Sequence, residues 1–313
     1  MEGTMRVFYP PLRNVTSITE SRYPAEVHLC YEAQSYSMRT RLSSILVLSS
    51  LLLWSPVVNG ESNGIRKDPG AVRVPILLYH RFGLRVSDAM TVTTDVFRSH
   101  LEYIKDRGFT VIPLRQLINY YLGKGPPPSQ GSVVIVADDA HKSVYTDMLP
   151  LVRQYNVPVT LFVYPSAISK ASYAMTWAEL RELKETGLFD FQGHTFWHPN
   201  FKKEKMRLSG ADYQKFVAMQ LKKSKDRLER ELNVEVDMLA WPFGIYDDEL
   251  IRHAEGAGYA AAFTIERRHA ANRENVMKIP RYLMQNSDRG KTFEMILGRP
   301  PGRKSFSEEE ARR

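Results

Sequence analysis

Between Val74 and Leu283, short and wholly apolar runs alternate with stretches of helical periodicity. This alternation is the strongest limit on what the chain can fold into. Residues 132–136 read SVVIV, with no polar side of any width. A strand of that kind is buried on both faces, and a parallel sheet covered by helices buries strands in this way. Further strands are expected at 74–79 (VPILLY), 109–112, 159–163, 188–192, 236–240, 260–264 and 278–283. Helices are expected between them. In 94–107 the apolar Val96, Phe97, Leu101 and Ile104 recur at helical spacing and Gly108 follows as a stop. Others are expected at 114–122, 144–155, 177–184, 212–232 and 247–255, and the Gly/Pro-rich 123–131 must be a loop. Seven or eight strand–helix repeats suit an α/β barrel better than an open sheet. In such barrels the functional residues lie where the strands end, at the C-terminal face.

The segment before residue 74 follows a different logic. Residues 38–60 carry Arg39 and Arg41, then an apolar run at 45–54, then the small residues Val58 and Gly60. That order is the order of a signal peptide, and the run is short for a bilayer span. Residues 38–60 are therefore expected to be a cleaved export signal, leaving no stable membrane span and a periplasmic or extracellular chain. Residues 1–37 lie upstream of it as an extension without periodicity, with Met38 the expected start. A polar linker at 61–73 precedes the expected catalytic domain, 74–298, and a charged tail, 299–313, follows it. The single cysteine is Cys30, so the exported chain has no thiol for catalysis, disulfides or Cys-type zinc sites. Net charge is +8, a balance suited to an anionic surface or polymer, and no nucleic-acid module is recognisable. The oligomeric state leaves no mark in the sequence.

Three polar groups directly follow expected strands: Asp138-Asp139, His194-Thr195-Phe196-Trp197-His198, and Trp241-Pro242-Phe243-Gly244. A barrel gathers all three on one rim. On a helical turn, His194 and His198 would share one face and reach one ion. A carboxylate then completes a three-ligand site with positions open to water. One aspartate of the pair can bind metal while its neighbour serves as base. Taken singly, each motif has a plainer reading: two histidines at that spacing are often structural, and an aspartate pair after a strand is often a helix cap. Their order, each at a strand end, favours the metal site.

From about Val74 to Met284, roughly two-thirds of the chain, the sequence resembles the polysaccharide deacetylases of the NodB-homology, carbohydrate esterase 4 type. Val74-Pro75-Ile76-Leu77-Leu78-Tyr79-His80 is similar to the family's opening strand. Val136-Ala137-Asp138-Asp139-Ala140 is similar to its Thr-Phe-Asp-Asp-Gly motif, and His194-Thr195-Phe196-Trp197-His198 matches its His-Ser/Thr-x-x-His motif in full. Ala240-Trp241-Pro242-Phe243 resembles its Arg-x-Pro-Tyr/Phe motif, and Ile279-Pro280-Arg281 its last strand. The resemblance implies a distorted (β/α) barrel and metal-dependent removal of N-acetyl groups from an N-acetylglucosamine polymer. It implies Asp139, His194 and His198 as ligands of a divalent metal, zinc first, with cobalt or nickel as alternatives. It also implies Asp138 as the base and a backbone N–H at Phe243 as the oxyanion donor.

Three departures matter. Ala137 and Ala140 replace an aromatic and a glycine, and a Cβ at 140 is strained if the turn needs positive φ. Ala240 stands where the family often has the arginine that orients the base, and Arg281 is the candidate replacement from a neighbouring strand. The family's late acid histidine has no clean match, which leaves His269 or His80. Trp241, Pro242 and Tyr246 are expected to line the sugar groove. Exopolysaccharide, peptidoglycan and a chitin-like polymer all suit the basic, exported chain. The competing classes are a catalytically weakened polysaccharide-binding relative and a non-haem iron oxygenase, whose two-His, one-carboxylate site is the same but whose fold is usually all-β.

Overall fold

The computed structural model describes residues 72–272 and 274–301. The expected extension and signal peptide lie outside these residues, as do most of the linker and the tail. The strands are β1 (Arg73–Val74), β2 (Ile76–Tyr79), β3 (Arg81–Gly83), β4 (Thr91–Thr93), β5 (Thr110–Val111), β6 (Ser132–Asp138), β7 (Val159–Val163), β8 (Phe189–Gly193), β9 (Met238–Ala240), β10 (Ala261–Phe263), β11 (Ala270–Ala271) and β12 (Tyr282–Leu283). The helices are α1 (Thr94–Asp106), α2 (Leu114–Tyr121), α3 (Leu149–Tyr155), α4 (Trp177–Glu185), α5 (Phe201–Arg207), α6 (Gly210–Leu232), α7 (Asp248–Gly256) and α8 (Lys291–Leu297).

Seven strands form one parallel sheet in the order β10-β9-β8-β7-β6-β2-β12, with β5 added beside β6. The sheet curls, and the segment around β12 links its two edges. Ile279 bridges Phe263 of β10, and three residues later Tyr282 and Leu283 pair with β2. The expected α/β barrel is thus the observed architecture, in a distorted form. Among the described residues no helix is long and apolar enough to cross a bilayer.

The strands read as continuous apolar runs because both faces are buried. On β2, Ile76 and Leu78 join the cluster inside the curl while Leu77 and Tyr79 face the helix layer. On β6, Val134 and Val136 point inward and Val133 and Ile135 outward. Phe162, Met238, Ala240 and Phe263 fill the interior, and α2 contributes Leu114, Leu117 and Ile118 to the same cluster. The helices start where the local chemistry lets them. Thr93 caps α1 and Ser209 caps α6 through their side-chain oxygens, and Thr176 with Glu179 forms a capping box on α4.

Several expectations need correction. The strand expected at 74–79 is broken at Pro75, which has no N–H for the ladder; β1 turns away to pair antiparallel with β11, so Arg73 belongs to the domain rather than to the linker. The helix expected at 144–155 opens with a π-turn, Val144–Met148, just ahead of Pro150, where a missing N–H interrupts α-helical bonding. The strand expected at 278–283 survives as β12 and one bridge. The short β3, β4 and β11 and the helices α5 and α8 went unpredicted, because two to seven residues give periodicity little to register.

Candidate active site

Period-two alternation aims the first aspartate. In β6 the inward series Val134, Val136 continues to Asp138, which therefore ends inside the barrel and is 2% exposed. Arg281, fully buried, meets it there. Its two terminal nitrogens donate to Asp138 Oδ1 at 2.8 Å and Oδ2 at 2.9 Å, and its Nε donates to the Thr264 carbonyl at 3.0 Å. The guanidinium carbon lies 5.2 Å from the ring centre of Phe162 and 5.9 Å from that of Phe263. Burial pushes the Asp138 carboxyl up, but Arg281, with His194 and His80 behind it, outweighs burial and holds the group below the usual carboxylate range.

The chain leaves the strand after Asp138, and Asp139 and Ala140 take positive φ (73° and 53°). The conditional strain at position 140 is therefore present: an alanine occupies backbone that glycine adopts without penalty. Thr195, His198 and Phe243 share the left-handed region. Five of the eight non-glycine residues in that region, among the described residues, thus surround one site, a concentration typical of functional turns.

His194 and His198 do not lie on a helical turn. They sit in the loop after β8, and the left-handed residues at 195 and 198 bring the imidazoles to one side. Their ring centres are 4.6 Å apart. Asp139 Oδ1 is 3.5 Å from His194 Nε2 and 3.8 Å from His198 Nε2, and one ligand atom from each of the three residues lies within 4.8 Å of the others. His194 Nδ1 is 2.8 Å from the Ala240 carbonyl, which only accepts, so Nδ1 carries the proton and Nε2 offers its lone pair to the centre. Burial lowers both histidines to about 4, which keeps them neutral and able to bind metal. Asp139 Oδ1 is buried and has no hydrogen-bond partner. Two neutral imidazole nitrogens converging on an orphaned carboxylate oxygen fit a divalent cation of the zinc, cobalt or nickel type.

The remaining candidates divide. His80, at the end of β2, acts electrostatically on both Asp138 and His198, and its Nδ1 is buried without a partner. His269 is not brought to the site: its Nδ1 is 3.0 Å from Tyr282 Oη, and the charge acting on it is that of Arg73. Phe243 lies on the 3-10 turn Pro242–Gly244 with its ring 4.6 Å from that of His198. Trp241 does not line a groove. It is fully buried in the helix-packed layer, opposite in direction to Ala240, and its Nε1 donates to the Met277 carbonyl at 3.0 Å. Pro242 is likewise buried. Tyr246 is partly exposed, bonded to Glu266 at 3.2 Å, with Lys278 over its ring. The aromatic surface at the rim comes instead from Trp197 and Phe243, each 39% exposed, and Tyr173, 44% exposed. Sequence reasoning also passed over Tyr164, whose ring lies against those of both His194 and His198, and His141, stacked on Tyr173. His141 follows Asp139 by two residues, which was the available signal; Tyr164 had none.

The polysaccharide deacetylase family model matches residues 125–262, a span that contains Asp138, Asp139, His194, His198 and Phe243. Among curated proteins, the chain is 27% identical over 211 residues to the poly-β-1,6-N-acetyl-D-glucosamine N-deacetylase of Staphylococcus epidermidis, covering 66% of this chain and 71% of that one. It is 26% identical over 217 residues to the enzyme of the same name from Staphylococcus aureus, covering 68% and 72%. Among solved structures, the Streptococcus pyogenes deacetylase PplD superposes with a TM-score of 0.65 at 21% identity, covering 72% of this chain and 99% of that one. IcaB from Ammonifex degensii superposes with a TM-score of 0.62 at 20% identity, covering 72% and 97%. The structures agree in fold, and the family match covers the rim where the three motifs meet. Over residues 125–262 the chain is similar to the polysaccharide deacetylase family.

Proposed function

We propose that the protein removes N-acetyl groups from a β-linked poly-N-acetylglucosamine with the help of a divalent metal, zinc first. The observation that carries this reading is one arrangement: Asp138, clamped by Arg281, beside Asp139, His194 and His198. The names of the two staphylococcal relatives support the choice of exopolysaccharide over peptidoglycan or chitin-like polymers. Asp139, His194 and His198 would hold the ion. When bound, a divalent ion acts as a Lewis acid toward the acetyl carbonyl and makes water more acidic.

The chain's own groups do the rest. Asp138, ionised and fixed by Arg281, takes the proton from the attacking water at a carboxylate oxygen. The Phe243 N–H donates to the carbonyl oxygen as negative charge builds there. His80, which acts electrostatically on Asp138 and His198, would protonate the amine when the C–N bond breaks, which gives acetate and a free amino sugar. Arg281 takes the place of the family arginine lost at Ala240. Trp197, Phe243 and Tyr173 offer ring faces to the sugar, in the role first assigned to Trp241. Residues 38–60 direct the chain to an exported location, and the catalytic domain spans about 73–298.

Acetate release from β-1,6-linked N-acetylglucosamine oligomers, with and without chelator, tests the reading. Release that stops with chelator and returns with Zn²⁺ or Co²⁺ is the expected result; release unaffected by chelation would refute metal dependence. Asp138→Asn is expected to keep the metal and lose about 10²–10⁴-fold in kcat. Asp139→Ala is expected to lose both. An Asp138→Asn enzyme with normal turnover would move the base elsewhere.

A further inference from the structure

The buried face of α6 is apolar except at a few positions, and one of them is Gln220, which is fully buried. A primary amide removed from water needs partners, and its partners show what it is for. Gln220 Oε1 accepts from the Phe196 N–H at 3.1 Å and from the Trp197 N–H at 3.0 Å. Both partners are donors, so only the amide oxygen can face them, and its two lone pairs match the two N–H groups. These are the backbone donors of the turn between His194 and His198. That turn carries two left-handed residues, Thr195 at φ 62° and His198 at φ 59°, so neither a helix nor a strand ladder can hold it. Other bonds of this segment include His194 N–H to the Val163 carbonyl at 2.9 Å, His198 N–H to Thr195 Oγ1 at 3.2 Å, and Ser166 N–H to the Phe196 carbonyl at 3.0 Å.

We propose that Gln220 is a positioning residue for the metal site, pinning the 195–197 turn so that His194 and His198 present their Nε2 atoms to the same Asp139 oxygen. The inference rests on the metal-site reading above, because Gln220 touches none of the three ligands. Its effect passes through backbone. Removing this acceptor would leave the buried Phe196 and Trp197 N–H groups unpaired, a cost that favours rearrangement of the segment joining His194 to His198. The role asks for an acceptor on α6 one turn from Phe216, whose ring packs on Trp197 at 5.5 Å.

The test uses the full chain as wild type, Gln220→Met and Gln220→Glu. Methionine keeps length and apolar bulk but removes the acceptor; glutamate restores it. Zn²⁺ affinity by competition with a chromophoric chelator, the visible spectrum of the Co²⁺ form, and the melting of the metal-free protein are measured in parallel. Gln220→Met is expected to bind Zn²⁺ about tenfold or more weakly, with an altered Co²⁺ spectrum, and Gln220→Glu to recover most of the loss. A Gln220→Met protein that melts earlier yet binds Zn²⁺ as tightly as wild type, with an unchanged spectrum, would overturn the proposal and leave the metal site standing. Wild type that takes up no Zn²⁺ would overturn both. Should Gln220→Met fail to fold, amide exchange in metal-free wild type decides: protected Phe196 and Trp197 amides support the clamp, and exchange at the rate of open loops refutes it.

Discussion

At the scale of single residues, the fork of Arg281 on Asp138 does what a single positive charge cannot. Two near-equal hydrogen bonds, at 2.8 and 2.9 Å, fix the carboxylate plane in a buried place where water could not. A lysine keeps the charge but makes no fork. Arg281→Lys is expected to keep KM near wild type and lower kcat by about 10²-fold, the cost of a misaligned base. Steady-state acetate release checks this, and an unchanged kcat would remove Arg281 from the machinery. Arg281→Leu strands a buried carboxylate and is expected to cost about 3–5 kcal/mol in urea unfolding. The site's acidic and histidine members were legible because their chemistry needs those residue types at strand ends. Trp241 was misread because its neighbour Ala240 faces the interior, so strand alternation sends the indole the other way.

At the scale of elements, the end of β8 shows how tightly a strand and its loop are tied to the helix layer. A Cβ built on Gly193 would sit 2.7 Å from Tyr259 Oη, which itself donates to the Leu221 carbonyl of α6 at 3.2 Å. The next residue is His194. Gly193→Ala is expected to cost about 1–3 kcal/mol by overpacking and to weaken Zn²⁺ binding by displacing His194. Denaturant midpoints and chelator competition measure the two effects, and a variant with wild-type values for both would show that Tyr259 yields freely. The i, i+4 spacing of the two histidines suggested a helical turn, but the local sequence His194-Thr195-Phe196-Trp197-His198 holds no signal for left-handed backbone at Thr195 and His198. The buried Gln220 of α6 accepts from the two N–H groups that lie between those residues, those of Phe196 and Trp197.

For the whole molecule, burial of neutral histidines gives metal-free stability a defined pH dependence. His100, under α8, is lowered to about 4 by burial; Tyr79 Oη lies 2.9 Å from its Nδ1 and its Nε2 bonds the Asp288 carbonyl. His194 is lowered likewise. The unfolded chain takes up these protons near 6.5 and the folded chain does not, so the stability present above pH 6.5 falls as pH drops toward 4. Each of these two groups contributes a loss of about 3 kcal/mol across that window. Urea unfolding in chelator at pH 7.5 and 4.5 is expected to show the loss, with a shallower slope in His100→Gln. Equal stability at both pH values would contradict the buried neutral state.

The sequence alone determined the strand–helix alternation, the parallel barrel and the order of three polar groups at strand ends. Those follow from short-range facts: apolar runs have no polar face to expose, and the chemistry of the site needs particular side chains. Tertiary structure decided the rest. It brought Arg281 across 143 positions to Asp138. It excluded His269, buried Trp241, and set Gln220 of α6 under the histidine turn. Each is a contact between segments distant in sequence, set by how the strands curl and how the helices pack on them, and no local pattern of residues encodes that distance.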